Sequence, residues 1–164
     1  MNFDQPPKQE QIGKNREKLL ELEKQGCYVF HGSPVFVDAL EPRQAYNYNQ
    51  QTNIEEEDGT PAVFATPNAD AAIFMALMTK KGVEGDSSSG FSSDDDGLHF
   101  FASQNLFEIA KLRVGRVYVL DKSKFIQFEG AQCRSDERVI PKEVIDVTFE
   151  DLPPGIKIIA AETL

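Results

Sequence analysis

No stretch of this 164-residue chain concentrates Lys and Arg, and that shortage excludes most polyanion-binding surfaces. Acidic residues outnumber basic ones by 27 to 17, for a formal net charge of −10. A duplex-binding face needs clustered basic side chains. Duplex nucleic acid and anionic membrane are therefore not expected partners, although a single nucleotide can still bind locally. No apolar run approaches the roughly 20 residues that cross a bilayer. The N-terminal residues are polar and show no apolar signal core. Cysteine is scarce: Cys27 and Cys133 lie far apart and form neither a CxxC motif nor a disulfide framework. A reducing, cytoplasmic setting is the expectation, with both cysteines acting as small buried hydrophobes. No HExxH, CxxC or histidine-rich cluster suggests zinc. Asp94-Asp95-Asp96-Gly97 lacks the twelve-residue ligand pattern of a calcium loop. Walker and GxGxxG phosphate loops are absent.

What remains is a chain 40% hydrophobic and 27% charged, a balance that folds. Its length suits one domain able to bury a core without staples. Residues 1–7, with Pro6-Pro7, read as a flexible tail and 8–164 as the domain. Lys8–Gln25 has helical spacing, with Ile12, Leu19 and Leu22 on one face and Gly26 placed to stop it. A strand follows over Cys27–His31. Pro34 to Pro61 reads as mostly irregular, and the acidic run Glu55-Glu56-Glu57-Asp58 as a solvated loop tip. Ala62–Thr66 reads as a buried strand, broken by Pro67-Asn68, and Ala69–Lys81 as an Ala-rich helix. Gly, Ser and Asp dominate residues 82–97, which are expected to be a disordered insertion. Leu98–Ala102 reads as a strand and Gln104–Leu112 as a short helix. The last third reads as strands: Arg116–Leu120, Lys124–Phe128, Ala131–Arg134, Glu137–Ile140, Val144–Phe149 and Ile156–Ala160. Helices followed by many short strands give an α+β class with an antiparallel-rich sheet.

The segment Tyr28-Val29-Phe30-His31-Gly32-Ser33-Pro34 stands out. A short apolar strand runs into a histidine, a glycine and a hydroxyl, where a rigid element hands over to a loop. The chain has only two histidines, so the position of this one carries weight. Phe64-Ala65-Thr66 leads into the Ala-rich helix, and Gln132-Cys133-Arg134-Ser135-Asp136-Glu137-Arg138-Val139 follows late. In this order the three segments resemble the ADP-ribosyltransferase fold of the diphtheria-toxin and poly(ADP-ribose) polymerase branch. They also resemble bacterial proteins with an early His-Gly-Ser, a middle Val-Phe-Ala-Thr and a late Val-Ile-Pro. The resemblance spans roughly residues 27–150.

The resemblance implies NAD as a substrate and an ADP-ribosyl transfer, with a protein among the possible acceptors. It implies that His31 bonds the ribose hydroxyls, Gly32 opens its backbone to the carboxamide, and Ser33 adds a hydrogen bond. Phe64 would stack on the nicotinamide, and Glu137 would stabilise positive charge on the ribose. Two departures stand. Phe64 occupies a place where the family often has tyrosine, and no ExE spacing marks the late carboxylate. Asp136 and Glu129 stay open beside Glu137, because a one-residue register change reverses which side chain faces the cleft. The other class of function is a non-catalytic nucleotide- or protein-binding module of the same fold. Each residue also has an ordinary role. His31 can satisfy a strand carbonyl, Gly32-Ser33-Pro34 can be a turn, Phe64 can be core, and Glu137 can pair with Arg138.

Overall fold

A computed structural model describes residues 13–49, 51–80, 82–127 and 132–160. The expected tail, residues 8–12 of the helix expected over Lys8–Gln25, and Glu129 lie outside the described residues. The elements in order are α1 (Lys14–Lys24), β1 (Tyr28–Ser33), β2 (Arg43–Asn49), β3 (Ile54–Ala65), α2 (Ala69–Leu77) and β4 (Ser89–Asp94). Then come β5 (Gly97–Ser103), α3 (Gln104–Ala110), β6 (Val114–Asp121), β7 (Ile126–Gln127), β8 (Cys133–Ser135), β9 (Glu143–Thr148) and β10 (Lys157–Ile159). The class is α+β and antiparallel-rich, with a helix preceding the sheets. Strand orders are β1-β6-β9, β10-β5-β4 and β2-β3-β8-β7, and β10–β5 is the one parallel pairing among them.

Helix α2 lies between two of these sheets. Ala69, Ala72, Ile73 and Ala76 join Phe30, Val117, Val119, Ile145 and Val147 in one apolar cluster. Phe74 and Met78 join Phe100, Ala102 and Leu106 in another. Small residues on the first face let the helix come close, and glycine on the strands completes the fit. A Cβ on Gly32 of β1 would stand 1.9 Å from the Ala72 carbonyl oxygen. A Cβ on Gly115 of β6 would stand 2.8 Å from both the Cβ and the carbonyl oxygen of Ala76.

Helix α1 fixes the entry to α2. The Asn68 side chain accepts the Ala71 N–H at 2.9 Å, and Glu23 accepts the Ala69 N–H at 2.6 Å. These carboxylate and amide oxygens fill donors that a helix start leaves open. Arg16 donates to both oxygens of Asp70, at 2.8 and 3.0 Å, with both side chains largely shielded. That bond to Asp70 raises the Arg16 pKa above its ordinary value.

Several expectations change. His31 lies inside β1, which continues to Ser33. Much of 34–61 forms the β2–β3 hairpin, and Glu55, Glu56 and Glu57 lie on β3, not on a loop tip. Within 82–97 the structure places β4, paired with β5 through six residues. Phe91 anchors it, its ring 5.7 Å from Phe100 and 6.3 Å from Phe74. One aromatic side chain and a neighbouring strand supply what the Gly-Ser-Asp composition lacks. Glu137–Ile140 forms no strand; only Val139 pairs, in a two-bond bridge with Leu40. Cys133 is buried as expected, whereas Cys27 is exposed.

Gly32→Ala and Gly115→Ala should each cost about 2–3 kcal/mol, the scale of overpacking a rigid core. Urea unfolding measures this. A loss below about 0.5 kcal/mol, typical of surface changes, would show that the helix moves aside freely.

Candidate functional site

Strands β1 and β3 touch at one point and then part. Phe30 and Thr66 exchange both backbone hydrogen bonds, at 2.7 and 2.8 Å. Past that bridge His31 and Gly32 on β1 diverge from Ala65 and Phe64 on β3. The opening holds a cavity of about 100 Å³, walled by these residues and by Met75 of α2 and Gln132 before β8.

His31 is half-buried, and its Nδ1 lies 2.7 Å from the Phe64 carbonyl oxygen. A carbonyl only accepts, so Nδ1 carries the proton and donates. Nε2 then holds a lone pair, with no partner among the described residues. Burial pushes the His31 pKa below its ordinary value, and the positive charge of Arg43 acts in the same direction. The bond to Phe64 opposes both but does not overcome them. The ring is thus neutral at neutral pH, and Nε2 is an acceptor.

Gly32 adds a backbone pair. Phe30 spends its N–H and C=O on Thr66, away from β6. Bonding direction alternates along an antiparallel strand, so Gly32 turns its N–H and C=O to that same side, into the opening. Its missing side chain is already required by α2. Phe64 is half-buried, and its ring stands 6.0 Å from the Arg134 guanidinium on the facing strand β8. Ser33 does not line the cavity. Its hydroxyl accepts the Val35 N–H at 3.2 Å and closes the turn after β1.

The late carboxylates sit elsewhere. Asp136 and Glu137 line a second cavity of about 300 Å³ with Ser123, Lys124, Ile126 and Arg134. Asp136 pairs with Arg134 at 3.0 Å. Glu137 is exposed, and its backbone N–H reaches the Ser135 hydroxyl at 3.4 Å. Arg138 pairs with Glu41 at 2.7 Å and not with Glu137. The structure therefore brings His31, Gly32 and Phe64 together and sets Ser33 beside them. Asp136 and Glu137 lie across the Phe64–Arg134 contact.

Sequence reasoning missed Met75, Gln132 and Arg134. Arg134 had a signal: it is a basic residue two positions before Asp136, close enough in the chain to pair with it, as it does at 3.0 Å. Met75 had none, because in an apolar helix only tertiary packing decides which residue is left uncovered. Among the described residues no group of three or more His, Cys, Asp or Glu could hold a metal ion. No described helix is long and apolar enough to cross a membrane. The chain matches no protein-family model, no curated protein and no solved structure.

The lowered His31 pKa has a defined consequence for stability. As pH falls through the ordinary histidine value near 6.5, the unfolded chain takes up a proton that the folded chain resists. Stability should fall with pH from that point until the folded histidine also protonates. His31→Gln should flatten this part of the curve. Thermal melts of both proteins between about pH 7 and 5 measure it, and parallel curves would refute a neutral buried His31.

Proposed function

We propose that the chain binds NAD at the β1–β3 opening and transfers its ADP-ribosyl group to an acceptor, as the ADP-ribosyltransferases that it resembles do. One observation carries this: a neutral histidine acceptor, a backbone donor–acceptor pair and an aromatic ring converge on one small cavity. A carboxamide is the complement of the Gly32 N–H and C=O. A ribose hydroxyl can donate to His31 Nε2. The Phe64 ring offers a wall to a flat heterocycle. A cavity of about 100 Å³ takes the nicotinamide end alone. The rest of the dinucleotide must lie outside it.

In the transfer the bond from ribose C1′ to nicotinamide breaks, and its electron pair leaves with the ring. The acceptor nucleophile bonds C1′ and releases a proton. Glu137 is the proposed carboxylate that offsets the charge developing on the ribose. A second possibility, a non-catalytic nucleotide-binding module, is favoured by the position of Glu137 in the neighbouring cavity and by phenylalanine at position 64.

Calorimetry with NAD and autoradiography after incubation with labelled NAD separate these. His31→Ala should weaken NAD binding about tenfold, the scale of a lost hydrogen bond in a shielded site. Glu137→Gln should abolish labelling and spare binding, because the charge matters most as the ribose turns cationic. NAD binding without labelling in the wild-type chain selects the non-catalytic module. No binding at all refutes both forms of the NAD site.

A further inference from the structure

We infer that Tyr118 is the positioning residue of the His31 cleft, holding the histidine ring and the chain that leaves it through one buried phenol. The inference deepens the nucleotide site proposed above and rests on it for its functional meaning.

Tyr118 is fully buried on β6 and stands opposite His31 in the β1–β6 register. The two rings meet edge-on, with centroids 6.1 Å apart and planes at 60°. The Tyr118 hydroxyl donates to the Val35 carbonyl at 2.7 Å and accepts the Val37 N–H at 2.8 Å. One side chain therefore touches the chain on both sides of Gly32-Ser33. Its ring edge limits His31, and its hydroxyl fixes two backbone groups just beyond the turn. Ser33 closes the same turn from within, through the Val35 N–H.

The segment so held is poorly covered from outside, with Val35 50% and Phe36 61% exposed. Val37 packs against the core and Val35 and Phe36 do not, so the phenol hydroxyl is the tie that holds the exposed part of the segment through its backbone. Phenylalanine at 118 would keep the volume and the ring edge but leave a carbonyl and an N–H without partners. Those groups regain hydrogen bonds only if residues 35–37 lift into water. Lifting hydrates the His31 ring and loosens the geometry of Nε2. Arg43 on β2 is the charged group whose field reaches His31, and the substitution leaves it in place.

The test uses the full chain with Tyr118→Phe, read by nitrogen-15 NMR of the His31 imidazole and by calorimetry with NAD. In the variant His31 should titrate at a higher pH than in the wild type, as water reaches the ring. NAD affinity should fall roughly fivefold, the scale of one hydrogen bond. Tyr118→Phe combined with His31→Ala should bind no more weakly than His31→Ala alone, since coupled residues do not add. An unchanged His31 titration, or additive losses, would overturn the inference. The NMR readout needs no ligand, so a chain that fails to bind NAD refutes the nucleotide site while the titration still decides the role of Tyr118. Val37→Pro removes the N–H bond that the phenol accepts, at the cost of part of the Val37 packing against the cluster of Val29, Leu40 and Val63. It should shift the His31 titration in the same direction, and it keeps the test available if Tyr118→Phe fails to fold.

Discussion

Helix α2 comes closer to β1 and β6 than any side chain at Gly32 or Gly115 would allow, and the other layers are arranged around that contact. The close approach lets Ile73 and Leu77 bury completely on one side while Phe74 and Met78 reach the second sheet on the other. Each large apolar side chain so buried contributes about 1.5–3 kcal/mol. That outweighs the roughly 1 kcal/mol of a single helix cap, so packing rather than capping holds α2. The caps from Asn68 and Glu23 serve instead to fix where the helix begins. That start sets the distance from Thr66, where β1 and β3 meet, to Met75, which walls the cavity.

Gly32 thus answers two demands at once. Its missing Cβ admits the Ala72 carbonyl, and its backbone polar groups turn to the opening between the strands. A glycine there is a requirement of the fold whatever the cavity binds. The His-Gly-Ser string is consequently a weaker functional sign in this chain than its resemblance alone implies. The stronger sign is His31 itself. Its proton is committed to the Phe64 carbonyl, its ring is kept neutral by burial, and its remaining nitrogen has no partner among the described residues.

Elements written by local apolar pattern were legible in the sequence. Val-Tyr-Val-Leu in β6, Val-Ile-Asp-Val in β9 and the Ala-rich α2 each signal themselves within a few residues. The β2–β3 hairpin did not, because Arg43–Asn49 and Ile54–Asp58 contain few apolar residues and are ordered by pairing with each other. Strand β4 was hidden for the same reason, with Phe91 as its one large apolar residue. At the site, His31 and Phe64 were legible from chain order, and their meeting is geometric fact. The place of Glu137 was not legible. It follows a three-residue strand, and where such a strand ends depends on Val139 bridging to Leu40, a partner about a hundred residues earlier.

The single bridge between Phe30 and Thr66 makes the join of the two sheets an interrupted ladder. Beyond it the next rung on the β1 side, Gly32, is set, and the facing carbonyl of Phe64 is taken by a histidine rather than by backbone. A ligand carrying an amide would supply the absent rung. It would act less as a guest in a hole than as one more residue of a strand, splicing the β1-β6-β9 sheet to the β2-β3-β8-β7 sheet. The two sheets, already joined by the Phe30–Thr66 bridge, the His31–Phe64 bond and the shared packing of Val29, Tyr118, Val63 and Cys133, would then be tied on the open side of the bridge as well.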